Sequence, residues 1–112
     1  MDPDTQQKGA VQMGHSVKSA AFLIESRIAK AVTGDVKALF ELGVAYSTGS
    51  RGVAVDLIEA HKWFNLAALN GSLEAQECRA DIAEEMSARE IAEAQRQARA
   101  WLAELAPTRR AA

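Results

Sequence analysis

One short order of residues occurs twice in this chain, and it constrains the fold more than any other feature. Gly34-Asp35-Val36-Lys37-Ala38 and Gly71-Ser72-Leu73-Glu74-Ala75 both read glycine, capping residue, aliphatic, charged residue, alanine, at an offset of about 37 residues. A glycine just past a helix takes the left-handed conformation that closes the last turn, and an Asp or Ser directly after it can cap the next helix. The same five residues therefore end one helix and begin another, and their offset is that of helical repeats. Ala60-His61-Lys62-Trp63 and Ala98-Arg99-Ala100-Trp101 echo each other at nearly the same offset, as the second helix of each unit.

The rest of the chain fits helices into this frame. Val17, Ala21, Ile24, Ile28 and Ala31 recur at three- and four-residue spacing and predict a first helix from about Val17 to Thr33, ended by Gly34. A second begins near Val36 after the cap Asp35, carries Ala38, Leu39, Leu42, Gly43 and Tyr46, and stops near Thr48, where Gly49, Ser50, Arg51 and Gly52 turn the chain. Asp56 caps a third, with Leu57, Ala60, Phe64, Ala67 and Ala68 on its apolar side as far as Asn70 and Gly71. Ser72 opens a fourth, from about Leu73 to Glu85, with Ala75, Ile82, Ala83 and Met86 inward. Ser87 and Glu90 then form a capping box, flanked by Met86 and Ile91 as a hydrophobic staple. The fifth helix carries Ile91, Ala94, Ala98, Trp101, Leu102 and Leu105 inward, and Pro107 followed by Arg109 and Arg110 ends it.

At 112 residues the chain makes one domain, and with apolar types at 48% but aromatics at 5% its core rests on alanine, leucine and isoleucine, which suits closely packed helices. A net charge of −2 argues against nucleic acid, which needs a basic footprint to neutralise phosphates. Cys78 is the only cysteine, so an internal disulfide and a thiolate zinc cluster are excluded, and a reducing, cytoplasmic setting is the expectation. Residues 1–15 read as a disordered polar tail without the apolar core of a secretory signal. The stretch Val17 to Val32 carries Lys18, Glu25, Arg27 and Lys30, which argues against membrane insertion. The expected organisation is a tail over 1–15, a helical repeat domain over 16–106 and a C-terminal tail over 107–112. The domain divides into a leading helix (16–34), one complete repeat (35–71) and a second, capping repeat (72–106).

Ala38, Leu42, Gly43, Tyr46, Gly49, Gly52, Val53, Asp56, Ala60, Trp63, Ala67, Ala68, Gly71 and Ala75 resemble, in order and across two helices, the Sel-one-like repeat, a relative of the tetratricopeptide repeat. The resemblance implies an all-α fold, a short right-handed α-solenoid of about five helices. The family pattern usually places one residue between the two loop glycines, whereas Ser50 and Arg51 both intervene here. The second unit has Arg79, Ala80 and Ala83 where Leu42, Gly43 and Tyr46 stand in the first, as a terminal capping repeat would. Without the family name, Gly43, Ala60, Ala67 and Ala68 still let paired helices approach toward the short end of the usual separation of about 8–10 Å.

The residues offer little chemistry. Gly49 and Gly52 lack the lysine and hydroxyl residue of a phosphate loop and read as a tight turn between helices. His61 has no second histidine at metal-binding spacing and reads as a surface residue. Cys78 has no histidine partner, and Glu77 and Asp81 beside it raise a thiol pKa, so it reads as structural. Glu84 and Glu85 are adjacent and point about 100° apart on a helix, unsuited to paired acid and base work. The expectation is therefore no enzyme, no cofactor and no metal.

One stretch breaks local rules. Glu74, Glu77, Asp81, Glu84 and Glu85 recur at three- and four-residue spacing as an acidic stripe, although the later three lie where the helix dipole disfavours negative charge and their neighbours repel them. Either this is a functional surface, or it is a solvated face relieved by Arg79, Arg89 or Arg96. In arrays of the resembled kind the first helix of each unit lines the concave side. On that basis Lys37, Glu41, Val44 and Thr48 would continue the surface toward Glu74, Cys78, Asp81 and Glu85. The expected function is a protein-interaction module, an adaptor or small regulatory subunit, holding a peptide or helix with basic residues. The alternative is self-association, in which an exposed apolar stripe of the first or fifth helix forms a homodimer.

Overall fold

The computed structural model describes residues 22–50 and 52–111, and they form five helices. Helix α1 is described over 22–32, α2 is Val36–Thr48, α3 is Leu57–Leu69, α4 is Leu73–Ala83 and α5 is Ala88–Ala111. No strand occurs among the described residues. The expected tail over 1–15, the start of the leading helix with Val17 and Ala21, and Arg51 lie outside them.

The repeated five-residue order does the same work at both of its sites. After α1, the Gly34 amide donates to the Ala31 carbonyl (2.9 Å) and the Asp35 amide to Lys30 (3.3 Å), while the Asp35 carboxylate accepts from the Ala38 amide (3.1 Å). After α3, Gly71 donates to Ala68 (3.0 Å), Ser72 to Ala67 (3.1 Å), and the Ser72 hydroxyl accepts from Ala75 (3.0 Å). Both turns thus satisfy the orphan carbonyls of one helix and an orphan amide of the next. Gly49 closes α2 at φ 71°, and Asp56 caps α3 through the Glu59 amide (3.1 Å). The capping box forms reciprocally, with the Ser87 amide donating to Glu90 Oε1 (2.8 Å) and the Glu90 amide to Ser87 Oγ (3.1 Å).

Helix α3 is the hub, packing against α2, α4 and α5. It buries Ala60, His61, Trp63, Phe64, Leu66 and Ala67. On the α2 side the Phe64 ring lies over Gly43, where a Cβ would fall within 3.0 Å of it, and tilts against Phe40 at 5.6 Å between centroids. On the α5 side Trp63 meets Trp101 edge to face at 4.9 Å, and Ala94 and Ala98 are buried. Such aromatic pairs add about 0.5–1.5 kcal/mol beyond area burial. Leu39, Leu42, Ala45, Ile24 and Ala31 complete the core.

Three sequence expectations are corrected. His61 is buried, at 4% exposure, and is not a surface residue. It occupies the inward series Leu57, His61, Phe64, Ala68, one turn from each neighbour, so packing of α3 covers it whatever its polarity. Helix α5 does not stop at Pro107 but runs to Ala111. Proline removes one amide from the ladder, and the carbonyl left unpaired belongs to Ala103, which is exposed to water. Helix α4 ends at Ala83 and not Glu85: the amides of Glu84, Glu85 and Met86 bond three residues back, to Asp81, Ile82 and Ala83, tightening the last turn.

Candidate interaction surface

Helix α4 carries the acidic stripe, and its burial pattern decides how that stripe is presented. Of its residues only Ala75 is buried, with Cys78, Arg79, Ile82 and Ala83 half-buried. Glu74, Glu77, Asp81, Glu84 and Glu85 are all exposed. None of the five forms an ion pair among the described residues, whose pairs are Arg27 with Glu41, Lys62 with Glu59 and Arg96 with Glu93. Of the cations that could relieve the stripe, Arg89 is exposed and joins no ion pair among the described residues, and Arg79 and Arg96 are committed elsewhere. Arg79 Nη1 donates to Asn65 Oδ1 on α3. Arg96 donates through Nε and Nη2 to Glu93, whose carboxyl those bonds, with one from Gln97, hold down at about 2.

The eight residues expected to form one surface divide into two groups. Glu74, Asp81 and Glu85 are exposed on or just past α4, and Cys78 between them is half-buried against the core. Its thiol is pushed up by burial and then by the charges of Glu74, Asp81 and Glu77, so it stays protonated and unreactive. Lys37 and Glu41, by contrast, face α1: with Leu23, Ser26, Arg27 and Lys30 they line a cleft of about 130 Å³, and Glu41 pairs with Arg27 at 3.3 Å. Val44 packs on the core, and the Thr48 hydroxyl donates back to the Val44 carbonyl (2.8 Å).

A polar cluster at the α3–α4 contact was not anticipated from the sequence. His61 Nδ1 is buried without a hydrogen-bond partner, and Asn65, one turn on, accepts from Arg79. Burial first, and the Arg79 charge second, lower the His61 pKa from its ordinary value. The apolar period of α3 was the available signal, since position 61 falls within it. On the other side of α3, Glu59 accepts from Lys62 Nζ (2.7 Å) and Trp63 Nε1 (3.3 Å), and Lys62 lies 4.7 Å over the Trp63 ring. Burial, then Glu59 and Asp56, raise the Tyr46 phenol above its usual range.

Among the described residues no cluster of His, Cys, Asp and Glu could hold a metal ion, and no helix is long and apolar enough to cross a membrane. On α1 Ile24 and Ala31 are buried while Phe22, Leu23 and Val32 are exposed, and on α5 Ala94, Ala98 and Leu105 are buried. No protein-family model matches the chain, and neither the curated proteins nor the solved structures contain a match to it.

Proposed function

We propose that this chain is a non-catalytic adaptor, a short α-solenoid of the Sel-one-like kind in the cytoplasm, whose α4 face holds a basic helix or peptide of another protein. The observation that carries this reading is the unrelieved acidic row: Glu74, Glu77, Asp81, Glu84 and Glu85 are exposed, without an ion pair among the described residues, while Arg79 turns away to Asn65. Like charges at this spacing oppose the helix by a few tenths of a kcal/mol per pair, a cost that a cationic partner would remove. The family reading is supported by the residue order over 35–76 and by two turns that match bond for bond.

The binding surface is narrower than the resemblance implies. It consists of Glu74, Glu77, Asp81 and Glu85, with Lys37 and Glu41 set apart in the α1–α2 cleft. Affinity capture with the wild-type chain and with the Asp81→Lys/Glu85→Lys double variant as matched baits tests the proposal. Partners held by the wild type and lost by the variant, with helical content unchanged, are the expected result; exposed substitutions change stability by about 0.5 kcal/mol or less. An identical set of partners on both baits contradicts it.

A further inference from the structure

The cluster beneath α4 has a property that binding of a partner does not use. His61 is nine-tenths buried, its Nδ1 has no hydrogen-bond partner, and it lies one turn from Asn65, which accepts a bond from Arg79 of α4. We propose that His61 is an acid-operated release for α4: protonation of its imidazole uncouples α4 from α3 while α2, α3 and α5 stay packed. This inference stands independently of the adaptor reading.

The argument begins with donors and acceptors. A neutral imidazole can leave Nδ1 as a bare acceptor, whereas the charged ring carries N–H on both nitrogens and needs an acceptor for each. Nδ1 is buried and makes no hydrogen bond. Protonation therefore places an unpaired donor and a full charge in a desolvated site, and water can satisfy both only if a covering element moves away.

Charge selects which element moves. Arg79, on α4, is the cation whose field reaches the ring, and its bond to Asn65 holds it against α3. No carboxylate offsets the pair. On α2, Glu41 is paired with Arg27, Lys37 is exposed and Tyr46 lies beside Glu59 and Asp56. On α5, Glu93 and Arg96 satisfy each other and Glu104 lines the groove beside Lys62. On α3 itself, Glu59 and Lys62 are paired. The carboxylates of α4 are exposed, and water screens them.

Burial then makes α4 the helix that can leave. It contributes one buried residue, Ala75, to the core, whereas α2 contributes Ala38, Leu39, Leu42, Gly43 and Ala45. Helix α3 is also held to α2 through Phe64 on Gly43 and to α5 through Trp63 on Trp101, contacts that α4 does not share. Because the folded state favours the neutral ring, the α3–α4 contact is fully present above about pH 6.5 and is lost as pH falls through the lower, folded-state value.

Hydrogen exchange of the full chain, read by mass spectrometry between about pH 7.5 and about pH 5.5 and corrected for intrinsic rates, tests this. Residues 73–83 are expected to lose protection at least about fivefold relative to 36–48, and the loss should follow the His61 imidazole signal in an NMR titration. His61→Phe, or His61→Gln if the larger ring does not fold, should remove the pH dependence. Arg79→Gln should move the transition toward the ordinary histidine value. The proposal is overturned if the two segments keep the same relative protection across that range, if they lose it together, or if His61 titrates with no change in α4 exchange.

Discussion

Helices α2 and α4 are opened by the same residue order and the same bonds, yet they end in different environments. Each follows a turn whose glycine and capping residue donate back three and five residues, and each is capped through the amide three residues into the repeated order, at Ala38 and Ala75. From there they part. Leu42, Gly43 and Tyr46 in α2 become Arg79, Ala80 and Ala83 in α4, and five buried residues in one helix become a single one in the other. The caps determine where a helix starts; the side chains two turns later determine whether it belongs to the core. A helix freed from core duty can carry a row of carboxylates that a buried helix could not tolerate.

Substitution at the paired positions sharpens this contrast. Trp63, buried at the centre of α3, should cost about 3–5 kcal/mol on replacement by Ala, measured by urea denaturation. Trp101, its half-buried counterpart in the second half, should cost distinctly less, and equal costs would erase the asymmetry. The next effect inverts in sign between the halves. Gly43→Ala should destabilise by about 1–3 kcal/mol, despite the better helix propensity of alanine, because the new methyl meets the Phe64 ring. At the matching position Ala80 is exposed, and there Ala80→Gly should cost about 1 kcal/mol from propensity. If Gly43→Ala stabilises, the close approach of α2 to α3 is wrong.

The boundaries of α2 and α3 and the Ser87–Glu90 box were legible because each rests on local chemistry: a cap, a glycine, a reciprocal bond. What was not legible depends on neighbours distant in sequence. Lys37 and Glu41 share a face pattern with a concave surface, but Arg27 on α1 claims Glu41, and no spacing rule states which neighbour a face will meet. His61 illustrates the opposite error, since the lack of a second histidine at metal-binding spacing led to a surface reading while its place in the series 57, 61, 64, 68 favoured burial. Pro107 was read as a stop from its type alone, whereas α5 continues past it to Ala111, where the carbonyl it leaves unpaired belongs to the exposed Ala103.

The central claim is that one repeated order opens a core helix in the first half and a surface helix in the second. Native-state hydrogen exchange at neutral pH, with denaturant added below the unfolding transition, tests it most directly. The amides of α2 and α3 should exchange only through global unfolding, and those of α4 through a smaller opening of lower free energy. Protection of α4 equal to that of α2 at every denaturant concentration would contradict the account.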